Sequence, residues 1–155
     1  MISSTAEYAL RAMSWLALTP DERVASSALA EKTLVPVDYL AKVLQLLGDA
    51  GFIEGRRGVR GGYRLAKPAG EIRLLDIVNA VSRNELQLKP IEACPLGIKS
   101  HGAALCPLHR TMDRAIAAVM DVLGDRTLAD LVSEEDAPTP LCESRAGIGV
   151  SVKRT

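Results

Sequence analysis

The stretch GRRGVRGGYRLAKP, Gly55 to Pro68, constrains this chain more than any other. It holds four glycines (Gly55, Gly58, Gly61, Gly62) and five cations (Arg56, Arg57, Arg60, Arg64, Lys67), with no acid. Glycine permits positive φ and tight reversal. Phe52 and Ile53 ahead of it suit a short strand; Tyr63 and Leu65, two residues apart, suit a second. The pattern predicts a β-hairpin with a cationic tip. Such a tip matches a phosphate backbone, or a narrow minor groove whose negative potential attracts arginine. A solvated loop would share this composition. A dinucleotide-binding loop is excluded, because the glycine spacing is wrong and the stretch runs into a strand rather than a helix.

The residues before the hairpin read as three helices. Ser4-Thr5-Ala6-Glu7 fits a capping box with Ser4 as N-cap and Glu7 three residues on. Ala9, Ala12, Met13, Leu16 and Ala17 follow at helical spacing, and Thr19-Pro20 ends the run. Val24 reads as extended. Ser26 or Ser27 caps a second helix to about Lys32, with Leu29 inward, and residues 33–35 form a tight turn. The third helix spans 36–50: Pro36 suits the first helical position, where no N–H is needed, and Gly51 suits its end. Its stripe is Leu40, Val43, Leu44 and Leu47.

Two helices joined by a short turn, then a basic hairpin, make a winged helix-turn-helix, in which the third helix enters the major groove by its leading residues. A small helical domain with an unrelated hairpin would give the same pattern. The candidate DNA contacts are Val37, Asp38, Tyr39 and Lys42 on the helix and Arg56, Arg57 and Arg60 on the wing. Lys42 can donate to base edges and Asp38 can accept from them.

Beyond Pro68, Ile72 is expected to extend the sheet, and Leu74, Leu75, Ile77, Val78 and Val81 form a short buried helix. Residues 83–100 are irregular, with Pro90, Pro95 and Gly97 breaking any period. Leu108, Met112, Ala115, Ile116, Val119, Met120 and Leu123 then repeat at three and four over more than four turns, closed by Gly124. A stripe this long points to a dimer interface, although packing within the chain would also use it. Thr127 to Asp130 starts a last short helix, and 133–155 reads as a loose tail. The expected layout is a DNA-binding domain over 1–82, a sensor loop over 83–104, a dimerisation helix and short helix over 105–132, and the tail. The fold class is mainly α with a small β-hairpin wing.

With 155 residues and zero formal net charge, the basic tip is a local feature on a neutral chain. No apolar run approaches the roughly 18 residues of a membrane span. The N-terminus has no basic leader with a cleavage site, so a cytoplasmic location is expected. No paired nucleophile and base and no phosphate loop opening a helix occurs, which argues against an enzyme.

Cys94, His101, Cys106 and His109 fall within 16 residues. Thiolate and imidazole are soft metal ligands. Three chemistries fit: an iron–sulfur cluster, in which histidine can replace cysteine; zinc, for which two cysteines and two histidines are a full tetrahedral set; and a thiol switch between Cys94 and Cys106. Two cysteines without a special role fit as well. Three cysteines in all, an odd number, argue against a disulfide scaffold.

The wing RGVRGGYRLAKP, the following EIRLLDIVNAV, CPLG at Cys94, and CPLHRTMDRAIAAVMDVLGDRTLADL together resemble the IscR/NsrR/CymR family of bacterial winged-helix regulators (the Rrf-two family), over about residues 1 to 132. The resemblance implies a repressor or activator that is a homodimer crossed through the long helix. Each wing and third helix would read half of a roughly palindromic double-stranded operator, with Arg57 as the minor-groove arginine. Many members hold a cluster on three evenly spaced cysteines; here the first and third match Cys94 and Cys106, and Ser100 takes the middle position. An IscR-like histidine ligand matches His109. An NsrR-like acidic ligand from the first helix of the other subunit matches Glu7, while a first-helix histidine ligand of 2Fe–2S members matches Arg11, which cannot serve. The fourth ligand is therefore His109, His101 or Ser100, and 2Fe–2S is favoured over 4Fe–4S, with zinc or no metal as alternatives. The acidic third-helix residue of IscR-like members matches Ala41, which implies a different operator preference. Cys142 matches no family position.

Overall fold

The computed structural model describes residues 2–82, 88–93, 95–98 and 105–133. Helix α1 (Ser4–Leu18) leads into α2 (Ser26–Thr33) and α3 (Val37–Asp49), then the hairpin strands β1 (Ile53–Arg56) and β2 (Gly62–Leu65). A 3-10 turn (Ala69–Glu71), α4 (Leu74–Val81), α5 (Pro107–Gly124) and α6 (Leu128–Ser133) follow. The result is mainly helical with one antiparallel hairpin, in which Ile53 faces Leu65 and Arg56 faces Gly62.

α1 is the element the others pack around. Its inward face is Ala6, Ala9, Ala12, Met13 and Leu16, all at or near zero exposure. They share one core with Leu29, Leu40, Leu47, Ile72, Ile77 and Leu128. The N-cap is Ser3, not Ser4: Ser3 Oγ accepts the Ala6 N–H at 3.2 Å, and the Glu7 N–H bonds Ser3 O at 2.9 Å. Three consecutive hydroxyl residues, Ser3 to Thr5, could each cap, and starting one residue earlier satisfies the extra N–H groups. Glu7 then lies one place too far on to close a capping box and pairs instead with Arg11, one turn along.

α2 also begins differently from expectation. Ala25 is its N-cap, and no side chain caps it. Val24 is held extended by two backbone bonds to Tyr63, of 2.9 and 2.8 Å, so the helix starts as soon as the chain leaves that bridge. The turn to α3 passes through Leu34 in the left-handed region (φ 53°), and Pro36 is the N-cap of α3 rather than its first residue. The four stripe residues Leu40, Val43, Leu44 and Leu47 are the buried ones. α3 ends as expected, with Gly51 at φ 73°: its N–H bonds Gly48 O at 2.9 Å, and the Phe52 N–H bonds Leu47 O at 3.0 Å. This 6→1 and 5→2 pair closes the helix and turns the chain into β1.

Ile72 does not extend the wing sheet. Pro68 offers no N–H to a ladder, and the 3-10 turn redirects the chain. Ile72 is buried and accepts the Leu128 N–H at 2.9 Å, while the Leu74 N–H bonds Arg126 O at 3.0 Å. The segment before α4 is thus bridged to the one before α6. Thr127 and Asp130 cap α6 reciprocally: Asp130 Oδ2 accepts the Thr127 N–H at 2.7 Å, and Thr127 Oγ1 accepts the Asp130 N–H at 3.3 Å. The Thr127 N–H and the Thr127 hydroxyl, both donating to Oδ2, hold the Asp130 carboxyl below its usual range.

α5 packs on α4 and leaves its apolar stripe only partly covered; Leu108 is 65 % and Met112 47 % exposed, Ile116, Val119, Met120 and Leu123 are half-buried, and His109 is its one buried residue. No helix among the described residues is long and apolar enough to cross a membrane. Leu128 is fully buried and joins the C-terminal segment to the α1 core. Leu128→Ala should lower stability by about 2–5 kcal/mol, read as a fall in the urea midpoint at unchanged slope.

Candidate nucleic-acid interface and sensor site

The buried stripe of α3 fixes what its other side presents. Val37, Asp38, Tyr39, Ala41 and Lys42 are all exposed, Val37 at 66 % and Tyr39 at 59 %. These apolar side chains on the surface lie in the leading turn of the second helix of a helix-turn-helix, where base edges are read. Ala41 adds no hydrogen-bonding group to that surface.

The wing is rigid at its base and open at its tip. Gly62 has φ 142°, and a Cβ there would lie 2.7 Å from the Val24 carbonyl carbon, so only glycine lets β2 approach the extended residue before α2. Gly61 is equally confined, its Cβ position being 2.3 Å from Arg56 O. The Gly61 N–H bonds Gly58 O at 2.8 Å across the tip.

The cations of the region fall into two sets. Glu54 on β1 pairs with Arg64 on the facing strand and, at 2.7 Å, with Arg23 from the loop before α2. The Arg64 hydrogen bond, aided by the charges of Arg64 and Arg23, lowers the Glu54 carboxyl below its usual range. Arg56, Arg57 and Arg60 have no acidic partner among the described residues and are fully at the surface. A cleft of about 390 Å³ opens between the wing and the start of α2, lined by Ala25, Ser26, Arg56, Arg57 and wing glycines, with no carboxylate. The start of an uncapped helix and two arginines line one space, which favours an anion such as a backbone phosphate. Sequence reasoning found the arginines but not Ala25 and Ser26. The signal was the lone extended Val24, whose pairing with Tyr63 brings α2 to the wing.

In the sensor region the structure brings two of the predicted residues together. Cys106 is the N-cap of α5, Pro107 occupies its first turn, and Cys106 Sγ lies 3.3 Å from His109 Nδ1. His109 is 8 % exposed. Two donors on one tetrahedral metal, with metal–sulfur and metal–nitrogen bonds of ordinary length, stand about 3.6 Å apart, so this pair has the spacing of one edge of such a site. A direct sulfur–imidazole hydrogen bond suits the same geometry. Among the described residues no third cysteine, histidine or carboxylate joins them. Glu7 is engaged by Arg11 on its own helix. Cys94, Ser100 and His101 lie outside the described residues. Residues 88–91, part of the segment ahead of α5, are tied at two points: the Leu88 N–H bonds Asn79 Oδ1 at 2.9 Å, and the Ile91 N–H bonds Asp113 Oδ1 at 2.8 Å.

A family model, Rrf2, described as an iron-dependent transcriptional regulator, matches residues 2–134. Among solved structures, the global cysteine regulator CymR of B. subtilis is 28% identical, with 88% of this chain and 98% of that chain covered and a TM-score of 0.71. Staphylococcus aureus CymR is 29% identical, covering 87% and 100%, with a TM-score of 0.67. T. potens IscR, at 23% identity, 84% coverage of both chains and a TM-score of 0.67, shares the fold.

The Glu54 cluster has a pH signature. A carboxyl lowered by cationic partners stabilises the fold fully above its unfolded value, near 4.3. That contribution is lost as pH falls through the lowered folded value. The thermal midpoint of wild type should therefore exceed that of Glu54→Gln at pH 7, and the gap should begin to narrow as pH falls past the unfolded value and close only below the lowered folded one.

Proposed function

Because the chain belongs to the Rrf2 family, whose members are transcriptional regulators and not enzymes, we propose that it is a homodimer reading a roughly palindromic operator and sensing redox state, iron or nitric oxide through a 2Fe–2S cluster on Cys94 and Cys106. Its place of action is the cytoplasm, with the DNA. The observation that carries the reading is the division of the wing cations. Two arginines are tied to Glu54, while Arg56, Arg57 and Arg60 have no counter-ion among the described residues, and the leading turn of α3 is likewise exposed. Free arginines on a glycine-rich tip attract phosphate and enter narrow minor grooves. Val37, Asp38, Tyr39 and Lys42 take the major groove. On this reading residues 1–82 are the DNA-binding domain, 83–104 the sensor loop, 105–132 the dimerising segment and 133–155 a tail.

Dimerisation is supported by the incompletely covered apolar face of α5. Leu108, Met112, Ile116 and Val119 lie along one side of an 18-residue helix. A second copy offers an equal face, which a two-fold interface covers. Two half-sites then act together, and affinity rises through effective concentration.

For the sensor, Cys106 and His109 have the spacing of one edge of a metal site, and Cys94 supplies a second thiolate. His101, Ser100 and Glu7 from the second protomer are the remaining donors. A bound cluster supplies a one-electron couple and reactivity toward oxidants. Burial of His109 keeps its ring in place for such a ligand. A second reading, a cluster-free switch by thiols, zinc or a small molecule, is favoured by Arg11, which already neutralises Glu7. The CymR relatives point the same way, since one is a global cysteine regulator and another was solved in an oxidized form.

DNA binding is tested on an operator taken from a random duplex library by selection with the wild-type protein. Arg57→Ala should cost about 1–3 kcal/mol of operator affinity, while Arg60→Ala should weaken all duplexes alike and reduce the salt slope by about one. Ile116→Asp should give monomer by sedimentation and lose operator affinity, because it buries an unpaired charge in the seam. Unchanged binding and salt slope in both arginine variants would remove the wing from the interface.

The sensor is tested by anaerobic purification with iron, sulfide and zinc analysis. Colour and iron should be present in wild type, vanish in Cys94→Ser and Cys106→Ser, and weaken in His109→Ala and Glu7→Ala. A colourless protein with one zinc per chain selects the zinc switch, and a metal-free one the thiol switch.

A further inference from the structure

The first turn of α3 is held by an unusual set of contacts. Pro36 provides no side-chain cap, and the turn before it runs through Leu34, a non-glycine residue in the left-handed region that is 80 % exposed. Local capping therefore does little to fix the direction in which α3 leaves the turn. A face of α1 supplies what is missing. The Tyr8 ring packs against the Tyr39 ring with centroids 6.0 Å apart and planes at 66°, the edge-to-face arrangement that aromatic quadrupoles favour. Arg11, three residues along α1, lies with its guanidinium carbon 5.9 Å from the centre of the Tyr8 ring. The same guanidinium donates to the Thr33 carbonyl at 3.5 Å, at the C-terminal end of α2, and pairs with Glu7. Thr33 O is one of the carbonyls a helix end leaves without an intrahelical donor.

We propose that Tyr8 and Arg11 form a brace that sets the angle of α3, so that these two positioning residues on α1 govern discrimination between operators without touching DNA. Tyr8 holds the start of α3 through Tyr39, and Arg11 holds the end of α2, so one helix face grips both sides of the turn. The leading turn that Tyr39 belongs to is the part that reaches base edges, where small displacements break bidentate contacts. Phosphate contacts made by the wing tolerate such displacements, because they depend on charge more than on direction. The brace deepens the operator-binding reading and rests on it.

The experiment uses the full-length protein and the duplex selected above, with a scrambled duplex of equal length as the non-specific reference. Affinity for both is measured over a range of salt for wild type, Tyr8→Phe, Tyr8→Leu and Arg11→Met, and each variant is melted to confirm that it folds. Tyr8→Leu should lower the specific-to-non-specific ratio about five-fold with an unchanged salt slope, and Tyr8→Phe, which keeps the ring, should restore the wild-type ratio. Arg11→Met should lower the ratio in the same sense, and it decides the matter should Tyr8→Leu not fold. A wild-type ratio in Tyr8→Leu and Arg11→Met overturns the brace. Equal losses in Tyr8→Phe and Tyr8→Leu overturn it too, since they would place the hydroxyl itself on DNA. A library that yields no enriched sequence defeats the operator-binding reading itself, which separates that failure from failure of the brace.

Discussion

The alanine face of α1 is the constraint on which the remaining structure depends. Ala6, Ala9 and Ala12 are fully buried, and small side chains let neighbouring helices come close. α4 and α6 pack on α1 from one part of the chain, and α2, α3 and β2 from another. Larger residues at these positions would push the layers apart and strain every contact beyond them. The chain is only 3% aromatic, so close approach of aliphatic side chains, rather than large rings, fills its core. The single tryptophan, Trp15, is only partly buried and has Lys32 over its ring.

That arrangement explains why charge on the wing can be specialised. A hairpin of two four-residue strands is marginal by itself. It is secured here by the Val24–Tyr63 bridge and by Glu54, which draws Arg23 and Arg64 to the base of the wing. Structural cations are consumed near the scaffold, and Arg56, Arg57 and Arg60 further out stay available. Neutral net charge is compatible with DNA binding because only the local field near the phosphates matters within a Debye length.

The start of α5, where the proposed sensor residues Cys106 and His109 lie, is joined to the helix-turn-helix by short links. Cys106 and His109 begin α5, and Asp113, one turn further on, holds the Ile91 N–H. Asn79 on α4 holds Leu88 on both its N–H and its carbonyl, and α4 packs against α1 and α3. A chemical change at Cys106 would therefore act on α5 and α4 before it reached the recognition helix. α1 touches both α4 and the start of α3, so it lies on any mechanical route between them.

The sequence by itself determined the elements whose cause is local. The stripe Leu40, Val43, Leu44 and Leu47, the glycine closing α3, and the alternating strand after the wing glycines are all legible because helical and strand periodicity and positive φ are properties of neighbouring residues. The exposed set Val37, Asp38, Tyr39, Lys42, Arg56, Arg57 and Arg60 was legible for the same reason, as the complement of the buried stripe and the tip of the hairpin. What tertiary structure decided was pairing across distance. It took Ile72 away from the wing and gave it to the segment before α6, because Pro68 cannot donate to a ladder. It put the N-cap of α1 at Ser3, which turned Glu7 from a cap into a partner of Arg11. It brought Tyr8 to Tyr39. Each of these depends on where a residue far along the chain, or one of several equivalent neighbours, comes to rest, and periodicity carries no information about that.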